Sequence, residues 1–418
     1  MATFLEGSEL LVPEGTRVLH IGPHKTGTTS LQSAFHACRD AVMEQGVHYA
    51  GRGRHPMGAV LAAIGHSSPR HDDHTPPDTR KWERILREIH TTDAPRVLLS
   101  SEFFADARNR SIRSVIEQVG AEQVHVVVTL RPLAKIIPSQ WQQYVQSGAT
   151  MPFDEWLTTI FENPETAAKF WRRHRHDRLI ERWAAVVGDD RVTAVVVDDS
   201  DHDSVLRSFE QIMGLRTGTL VADRSLVNRS LMRGEVEAVR AFNVEFWNAH
   251  LPRSLHTRLI RSGASHYLQA RKPEPDEDKV LMPRWALDRA CAVTDEIIAG
   301  ITATNITVTG DLDLLRQQPR SQETAGQQAP PTVTPEVAAR FARGVLVAAD
   351  VLSAPSERLA PPRTPPNTAE ATRRKTAKKA LRDQARVAAL SPPRRYAVRV
   401  LRYLSRKTAR AEKRVRKG

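Results

Sequence analysis

The chain has 418 residues and a formal net charge of +13 at pH 7. This length exceeds an average domain and suits one large α/β domain with appendages. The positive charge is concentrated in residues 371–418, where 18 Lys and Arg face only Asp383 and Glu412, so residues 1–370 carry −3. The total charge therefore does not indicate that the folded body binds nucleic acid.

Two features bear on where the protein acts. Residues 1–16 contain three glutamates and lack the basic start and apolar run of a secretory signal, and no later stretch reaches the roughly 18 apolar residues of a membrane span. The two cysteines, Cys38 and Cys291, are too few for a disulfide framework. We therefore expect a cytoplasmic protein with reduced thiols.

The first predicted strand leads into a candidate anion-binding loop. Residues 17–21 are apolar and β-branched enough for a short buried strand, which Gly22 and Pro23 end. After Gly27 the apolar residues recur at helical spacing (Leu31, Ala34, Phe35 and Cys38). The first turn of that helix directs free N–H groups and the positive end of the helix dipole at the loop, beside hydroxyls and the Lys25 ammonium. Such a loop binds phosphate or sulfate.

Further elements follow in alternation, as expected of an α/β chain. The spacing of apolar residues predicts strands over 46–49 and 191–197 and helices over 55–64, 81–90, 179–188, 204–214, 228–247, 285–301 and 335–352. Residues 65–79, with His66, His71 and His74, predict a surface loop, either solvated or near a substrate entrance; their spacing matches no standard zinc site. Asp198 and Asp199 are interpreted as a strand-to-loop exit rather than as Mg²⁺ ligands.

A second apolar strand, residues 96–100, ends beside an acidic residue. Ligands gather at the carboxyl ends of strands in doubly wound sheets, so Glu102 is placed on the side where the loop opens. Glu102 is therefore a candidate general base. The alternative is a carboxylate that only stabilises a helix N-terminus.

The strongest predicted strand, residues 124–130, is a nearly continuous apolar run typical of a central parallel strand. It ends at Arg131, and Ser139 follows eight residues later in a predicted helix. Arginine grips phosphate through two parallel hydrogen bonds, and a serine from the next helix adds a third. Arg131 and Ser139 are thus candidates for a second phosphate site.

Together these motifs resemble those of the sulfotransferase family, whose donor is 3′-phosphoadenosine 5′-phosphosulfate (PAPS). The lysine precedes the second glycine, unlike in a general nucleotide-triphosphate loop. The resemblance implies a P-loop NTPase-like three-layer sandwich with a central, mostly parallel sheet. It implies that Arg131 and Ser139 bind the 3′-phosphate and that the loop binds the 5′-phosphosulfate (His24, Lys25, Thr26, Gly27, Thr28, Thr29 and Ser30). A clear late Arg-Lys-Gly motif of cytosolic members is missing.

The chemistry implied by the resemblance is attack of an acceptor hydroxyl or amine on sulfur while 3′,5′-bisphosphoadenosine leaves. This reaction needs a base for the acceptor and cations for the leaving phosphate. We assign Glu102 as base and Lys25 to the leaving phosphate; His24 and His55 are alternative bases. No metal is expected.

The expected organisation is an N-terminal arm at 1–15, a sulfotransferase-like domain at 16–310, a Pro/Gln-rich linker with one helix at 311–370 and a basic tail at 371–418. The tail contains two basic helical candidates, 376–390 and 394–414, and the second suits an interfacial helix on anionic lipid. A solvated, disordered tail ranks ahead of this interpretation, and nonspecific nucleic-acid binding comes third.

The acceptor is not identified by the sequence; a glycan or glycolipid would suit a tail that touches membrane. Two other functions stay open. One is a P-loop small-molecule kinase using Mg-ATP, and the other is a non-catalytic membrane or nucleic-acid binding protein that acts through the tail.

Overall fold

The structure is a computed structural model and describes residues 1–66, 77–222, 229–319 and 331–352. A seven-stranded sheet lies at its centre, with the strand order β1-β7-β6-β5-β2-β4-β3 and every neighbouring pair parallel. The strands are β1 (Thr3–Phe4), β2 (Arg17–His20), β3 (Val47–Tyr49), β4 (Arg96–Ser100), β5 (Val124–Leu130), β6 (Val192–Val196) and β7 (Thr307–Thr309).

Both faces of the sheet are buried. Successive residues of a strand point to opposite faces, and in this sheet each face is covered by its own hydrophobic core. Leu19 pairs in register with Leu99 of β4 and Val126 of β5, and all three belong to one hydrophobic core. Their neighbours Val18 and Leu98 belong to a second core on the other face. The continuous apolar runs of the sequence are therefore explained by burial on two sides.

Helices cover both faces. They are α1 (Thr28–Ala37), α2 (Arg39–Met43), α3 (Met57–Ala63), α4 (Arg80–Thr91), α5 (Asn109–Val119), α6 (Leu133–Gln146), α7 (Phe153–Glu162), α8 (Ala168–His174), α9 (His176–Val187), α10 (Ser204–Met213), α11 (Arg233–Asn248), α12 (Arg253–His256), α13 (Ser265–Gln269), α14 (Arg284–Thr302) and α15 (Pro335–Ala348). Helices α1 and α10 pack on the second core, whereas α5, α6, α9 and α14 pack on the first. The predicted three-layer α/β architecture with a central parallel sheet is confirmed.

The topology brings the three predicted functional segments, and the segment that follows β6, to one edge. Strand β2 lies between β4 and β5, and β6 lies beyond β5. In a parallel sheet all carboxyl ends meet on the same side, so the segments that follow these four strands converge there. The candidate site is built from those segments.

Some elements were not predicted. Residues 1–15, expected as an arm, contribute β1, which pairs with β7 through Thr3 and Thr307, and bury Leu10 and Val12. Helices α5 and α8 were also missed, as was a π-helical segment at Thr257–Ala264. The described residues up to Val345 form one compact unit, and Leu346 begins a second.

Several predictions fall outside the described residues, namely the tail at 371–418, residues 320–330 and 353–370 of the linker, and His71 and His74. In the described part of the chain, no helix is long and apolar enough to cross a membrane.

Candidate functional site

The loop between β2 and α1 is closed by its own side chains. Gly22, Lys25 and Gly27 have φ values of 80°, 71° and 85°, so the chain turns through the left-handed region three times. Thr26 Oγ1 donates to the Pro23 carbonyl at 2.7 Å, and Thr28 Oγ1 donates to the same oxygen at 3.3 Å. The two predicted ligand hydroxyls therefore hold the loop, and an anion would meet these residues through their backbone amides.

The mouth of the loop is formed by the start of α1. The helix begins at Thr28, and its N-cap residue is Gly27. Within the described residues the amides of Thr28 and Thr29 have no hydrogen-bond acceptor, while Thr29 and Ser30 are exposed. Free amides, exposed hydroxyls and the positive dipole end are the groups that bind anions at helix N-termini, so this surface is a candidate anion site.

A buried histidine holds the loop against the sheet. His20 Nδ1 lies 2.8 Å from Ser100 Oγ on β4, and Nε2 lies 3.2 Å from Thr129 Oγ1 on β5. Thr129 Oγ1 in turn lies 2.6 Å from Thr26 Oγ1 and donates to the Gly22 carbonyl at 3.1 Å. Burial lowers the pKa of His20 to about 3, so the ring is neutral. No role for His20 was predicted, although a histidine in a buried strand indicates a polar partner.

Lys25 lies among other charges. Burial, with the nearby Arg131 and Arg261 guanidinium groups, lowers its pKa to about 8, and Glu102 acts in the opposite direction. The ammonium therefore keeps its proton at pH 7 but loses it near pH 8, well below an ordinary lysine, unless an anion joins it. A lysine whose pKa is lowered by burial and neighbouring cations is expected at a site that binds an anion.

Glu102 lies against the loop. Its Oε2 accepts a hydrogen bond from Gln32 Nε2 at 3.2 Å and lies 3.3 Å from His55 Nε2. A Cβ at Gly22 would lie 2.8 Å from both Cα and Cβ of Glu102, so the glycine permits this approach. The strand-end carboxylate predicted from the sequence is therefore adjacent to the loop.

Two histidines flank Phe103. The His55 ring stacks on it at 5.6 Å with an interplanar angle of 16°, whereas His24 meets it edge-on at 4.9 Å and 86°. Burial lowers the pKa of both rings, although Glu102 raises that of His55. His24 is almost completely buried, and its Nε2 has no hydrogen-bond partner in the described part of the chain. Both rings are therefore available as neutral bases.

Arg131 and Ser139 line one cleft of about 830 Å³ beside α6. Its walls also carry basic side chains (Lys135, Arg229, Lys272 and Lys279). Arg131 Nη1 donates to the Lys25 carbonyl at 3.2 Å, so the cleft and the loop are in direct contact.

The parallel pair of Arg131 N–H groups is occupied by a carboxylate. Nε and Nη2 lie 3.1 and 3.0 Å from the two oxygens of Asp199, which also accepts from Lys135 Nζ at 2.7 Å. Asp199, interpreted from the sequence as a strand exit, is therefore part of the site. Its position directly after β6, the neighbour of β5, is the signal that could have identified it.

Comparisons with known proteins give little further information. No family model and no curated protein matches the chain. Among solved structures it is similar to the crystal structure of a sulfotransferase from Alicyclobacillus acidocaldarius, at 15% identity and a TM-score of 0.36, over 57% of this chain and 94% of that chain. A likeness this distant carries no argument about function. Among the described residues, no group of three His, Cys, Asp or Glu side chains is placed to hold a metal ion.

Proposed function

We propose that the protein is a sulfotransferase that moves the sulfuryl group of PAPS to a hydroxyl or amine of an acceptor. One observation carries this proposal: two anion-binding elements are joined by the hydrogen bond from Arg131 to the Lys25 carbonyl. PAPS has a 5′-phosphosulfate and a 3′-phosphate, so a ligand with two separated anions fits the arrangement.

The residues present suit the donor. The free amides of Thr28 and Thr29, with Lys25, would hold the 5′-phosphosulfate, and Arg131 with Ser139 would hold the 3′-phosphate. Cations and amides there stabilise the negative charge that develops on the leaving phosphate.

The acceptor is activated by a base beside the loop. The base removes the acceptor proton, the acceptor oxygen or nitrogen bonds to sulfur, and the bond from sulfur to the phosphate oxygen breaks in line. Glu102 is our first assignment, because it contacts the loop and its proton can pass to His55 at 3.3 Å. His24 and His55 are the alternatives, and both are neutral.

The acceptor we propose is a carbohydrate or glycolipid, and this rests on the amphipathic sequence of residues 394–414. Incubating the protein with labelled PAPS and extracts of its host would identify the product. A label confined to proteins or small phenols would overturn this acceptor class.

The donor is tested by thermal unfolding with added ligands, because a ligand stabilises a protein according to its affinity and concentration. We expect 3′,5′-bisphosphoadenosine to raise Tm, whereas Mg-ATP at equal concentration has little effect. The opposite order would favour a P-loop kinase. Stabilisation by neither ligand, with activity only in residues 371–418, would favour a non-catalytic binding protein.

A further inference from the structure

We propose that Asp199 is an internal competitor for the phosphate group: in the ligand-free protein it bridges Arg131 and Lys135, and it is transferred wholly to Lys135 when the 3′-phosphate binds. This inference rests on the proposed function and adds a residue that sets the affinity and selectivity of the 3′-phosphate site.

The first observation is the bidentate geometry. Arginine binds phosphate best through two parallel N–H groups, and here that pair is directed at the two oxygens of Asp199. Nη1 already donates to the Lys25 carbonyl. A phosphate that uses the parallel pair must therefore displace the carboxylate.

The second observation is that Asp199 has an alternative partner. Lys135 Nζ lies 2.7 Å from Asp199 Oδ2 and lines the same cleft. Residue 135 is on α6, one helical turn from Ser139, whereas residue 199 follows β6. The carboxylate can thus leave Arg131 and stay paired, so its displacement does not leave a partly buried charge alone.

The third observation is that the carboxylate is anionic. Arg131 and Lys135 hold the pKa of Asp199 below its usual range, against the effect of burial. A phosphate at Arg131 would lie next to this negative charge if the carboxylate did not move. Dianionic phosphate, with more charge and more acceptor oxygens, displaces the carboxylate, whereas weaker anions do not.

The consequence is that binding of a 3′-phosphate includes the free energy of displacing the carboxylate. A nucleotide with a 3′-phosphate would bind Arg131, whereas adenosine 5′-phosphate would leave the pair between Arg131 and Asp199 intact. Asp199 therefore lowers the affinity for the bisphosphate, and with it the preference for the bisphosphate over the monophosphate.

The test is calorimetric titration of the full chain with 3′,5′-bisphosphoadenosine and with adenosine 5′-phosphate. We expect Asp199→Asn to bind the bisphosphate about tenfold more tightly and to leave the monophosphate within about twofold, because a competing like charge has been removed. Asp199→Ser has the same expected effect, so the result does not depend on the folding of one variant.

A matched control is the adjacent carboxylate. Asp198 accepts from the amide and hydroxyl of Ser200 at 2.8 and 2.7 Å and makes no contact with Arg131. We expect Asp198→Asn to leave both affinities unchanged. An equal gain in Asp198→Asn would show a general effect of charge and would overturn the proposal.

Lys135→Gln tests the alternative partner. It should weaken bisphosphate binding more in the wild-type chain than in the Asp199→Asn background, because only the former must place a displaced carboxylate. Equal losses in the two backgrounds would overturn the transfer to Lys135.

If the wild type binds the bisphosphate, weaker or unchanged binding by Asp199→Asn would overturn this inference and leave the proposed function intact. Weaker binding would show that Asp199 orients Arg131 for the phosphate. A wild type that binds no bisphosphate would overturn the proposed function and the inference with it.

Discussion

The Glu102 carboxylate and the His55 imidazole lie 3.3 Å apart beside the loop between β2 and α1. The pair joins the end of β4 to the segment before α3, and the Ser101 hydroxyl lies 3.0 Å from the same histidine nitrogen. A carboxylate next to a neutral imidazole can take a proton from the acceptor substrate and pass it through the imidazole to solvent.

We expect Glu102→Gln to lower kcat by about 10² to 10⁴, the usual range for loss of a general base, while binding of 3′,5′-bisphosphoadenosine stays unchanged. His55→Gln should have a smaller effect and should shift the acidic limb of the kcat profile against pH. Steady-state kinetics from pH 5 to 9 measures both.

Glu88 provides the control for this prediction. It lies 2.8 Å from His48 Nε2, in a second carboxylate–histidine pair away from the loop. Glu88→Gln should leave kcat unchanged. Turnover of Glu102→Gln close to the wild-type value would show that the base lies elsewhere, with His24 the next candidate.

The lowered pKa of Lys25, about 8, predicts that donor affinity depends on pH. The anion needs the protonated ammonium and raises its pKa on binding, so affinity is complete only well below pH 8. Above that value it should fall by up to about tenfold for each pH unit, because one proton is taken up on binding.

Lys25→Arg is the matched variant, because guanidinium keeps its charge throughout this range. Its affinity for 3′,5′-bisphosphoadenosine, titrated between pH 7 and 9.5, should show a much weaker dependence on pH than the wild type. The same slope in both proteins would place the titrating group elsewhere.

The close approach of Gly22 to Glu102 predicts different results for two glycines. Both Gly22 and Gly27 have positive φ, but a Cβ at Gly22 would lie 2.8 Å from Glu102, whereas Gly27 has open space. Gly27→Ala should cost about 1 kcal/mol of backbone strain. Gly22→Ala should cost about 2–4 kcal/mol, since overpacking is added.

Urea unfolding measures the free energy of unfolding of Gly22→Ala and Gly27→Ala. The activity of each variant reports whether the Glu102 carboxylate has been displaced. We expect Gly22→Ala to lose more activity, for each kcal/mol of lost stability, than Gly27→Ala. Equal stabilities would mean that the loop can move away from Glu102 at no cost.

The sequence was sufficient for the architecture and for the segments of the site, because both depend on local patterns. The nearly continuous apolar run of 124–130 is typical of a strand buried on two faces, and a parallel sheet then fixes where Arg131 lies. Pairings between distant segments have no local pattern. β1 and β7 are two and three residues long and are 304 residues apart at Thr3 and Thr307.

The same limit applies to side-chain partners. The sequence indicated that Arg131 could grip an anion but not that Asp199 already occupies it, since the two residues meet only when β6 lies next to β5. It also placed Thr26 and Thr28 among the ligand groups by position, whereas their hydroxyls bind the Pro23 carbonyl.

His20 predicts that the fold loses stability in acid. The ring is fully buried between Ser100 and Thr129, and burial lowers its pKa to about 3 from an ordinary value of 6.5. Below pH 6.5 the unfolded chain takes up a proton that the folded chain does not. The free energy of unfolding therefore falls with pH between 6.5 and about 3, by about 1.4 kcal/mol per pH unit from this group.

The contribution of His20 is isolated by comparing His20→Gln with His36→Gln. The glutamine at 20 keeps polar atoms for the two hydroxyls but does not titrate, and His36 is an exposed residue of α1. The difference in unfolding free energy between pH 7 and 4.5, from urea titrations, should shrink by about 2–3 kcal/mol in His20→Gln. His36→Gln should match the wild type. An unchanged difference in His20→Gln would mean that His20 is charged in the folded protein, and the neutral link between the loop and the sheet would then be wrong.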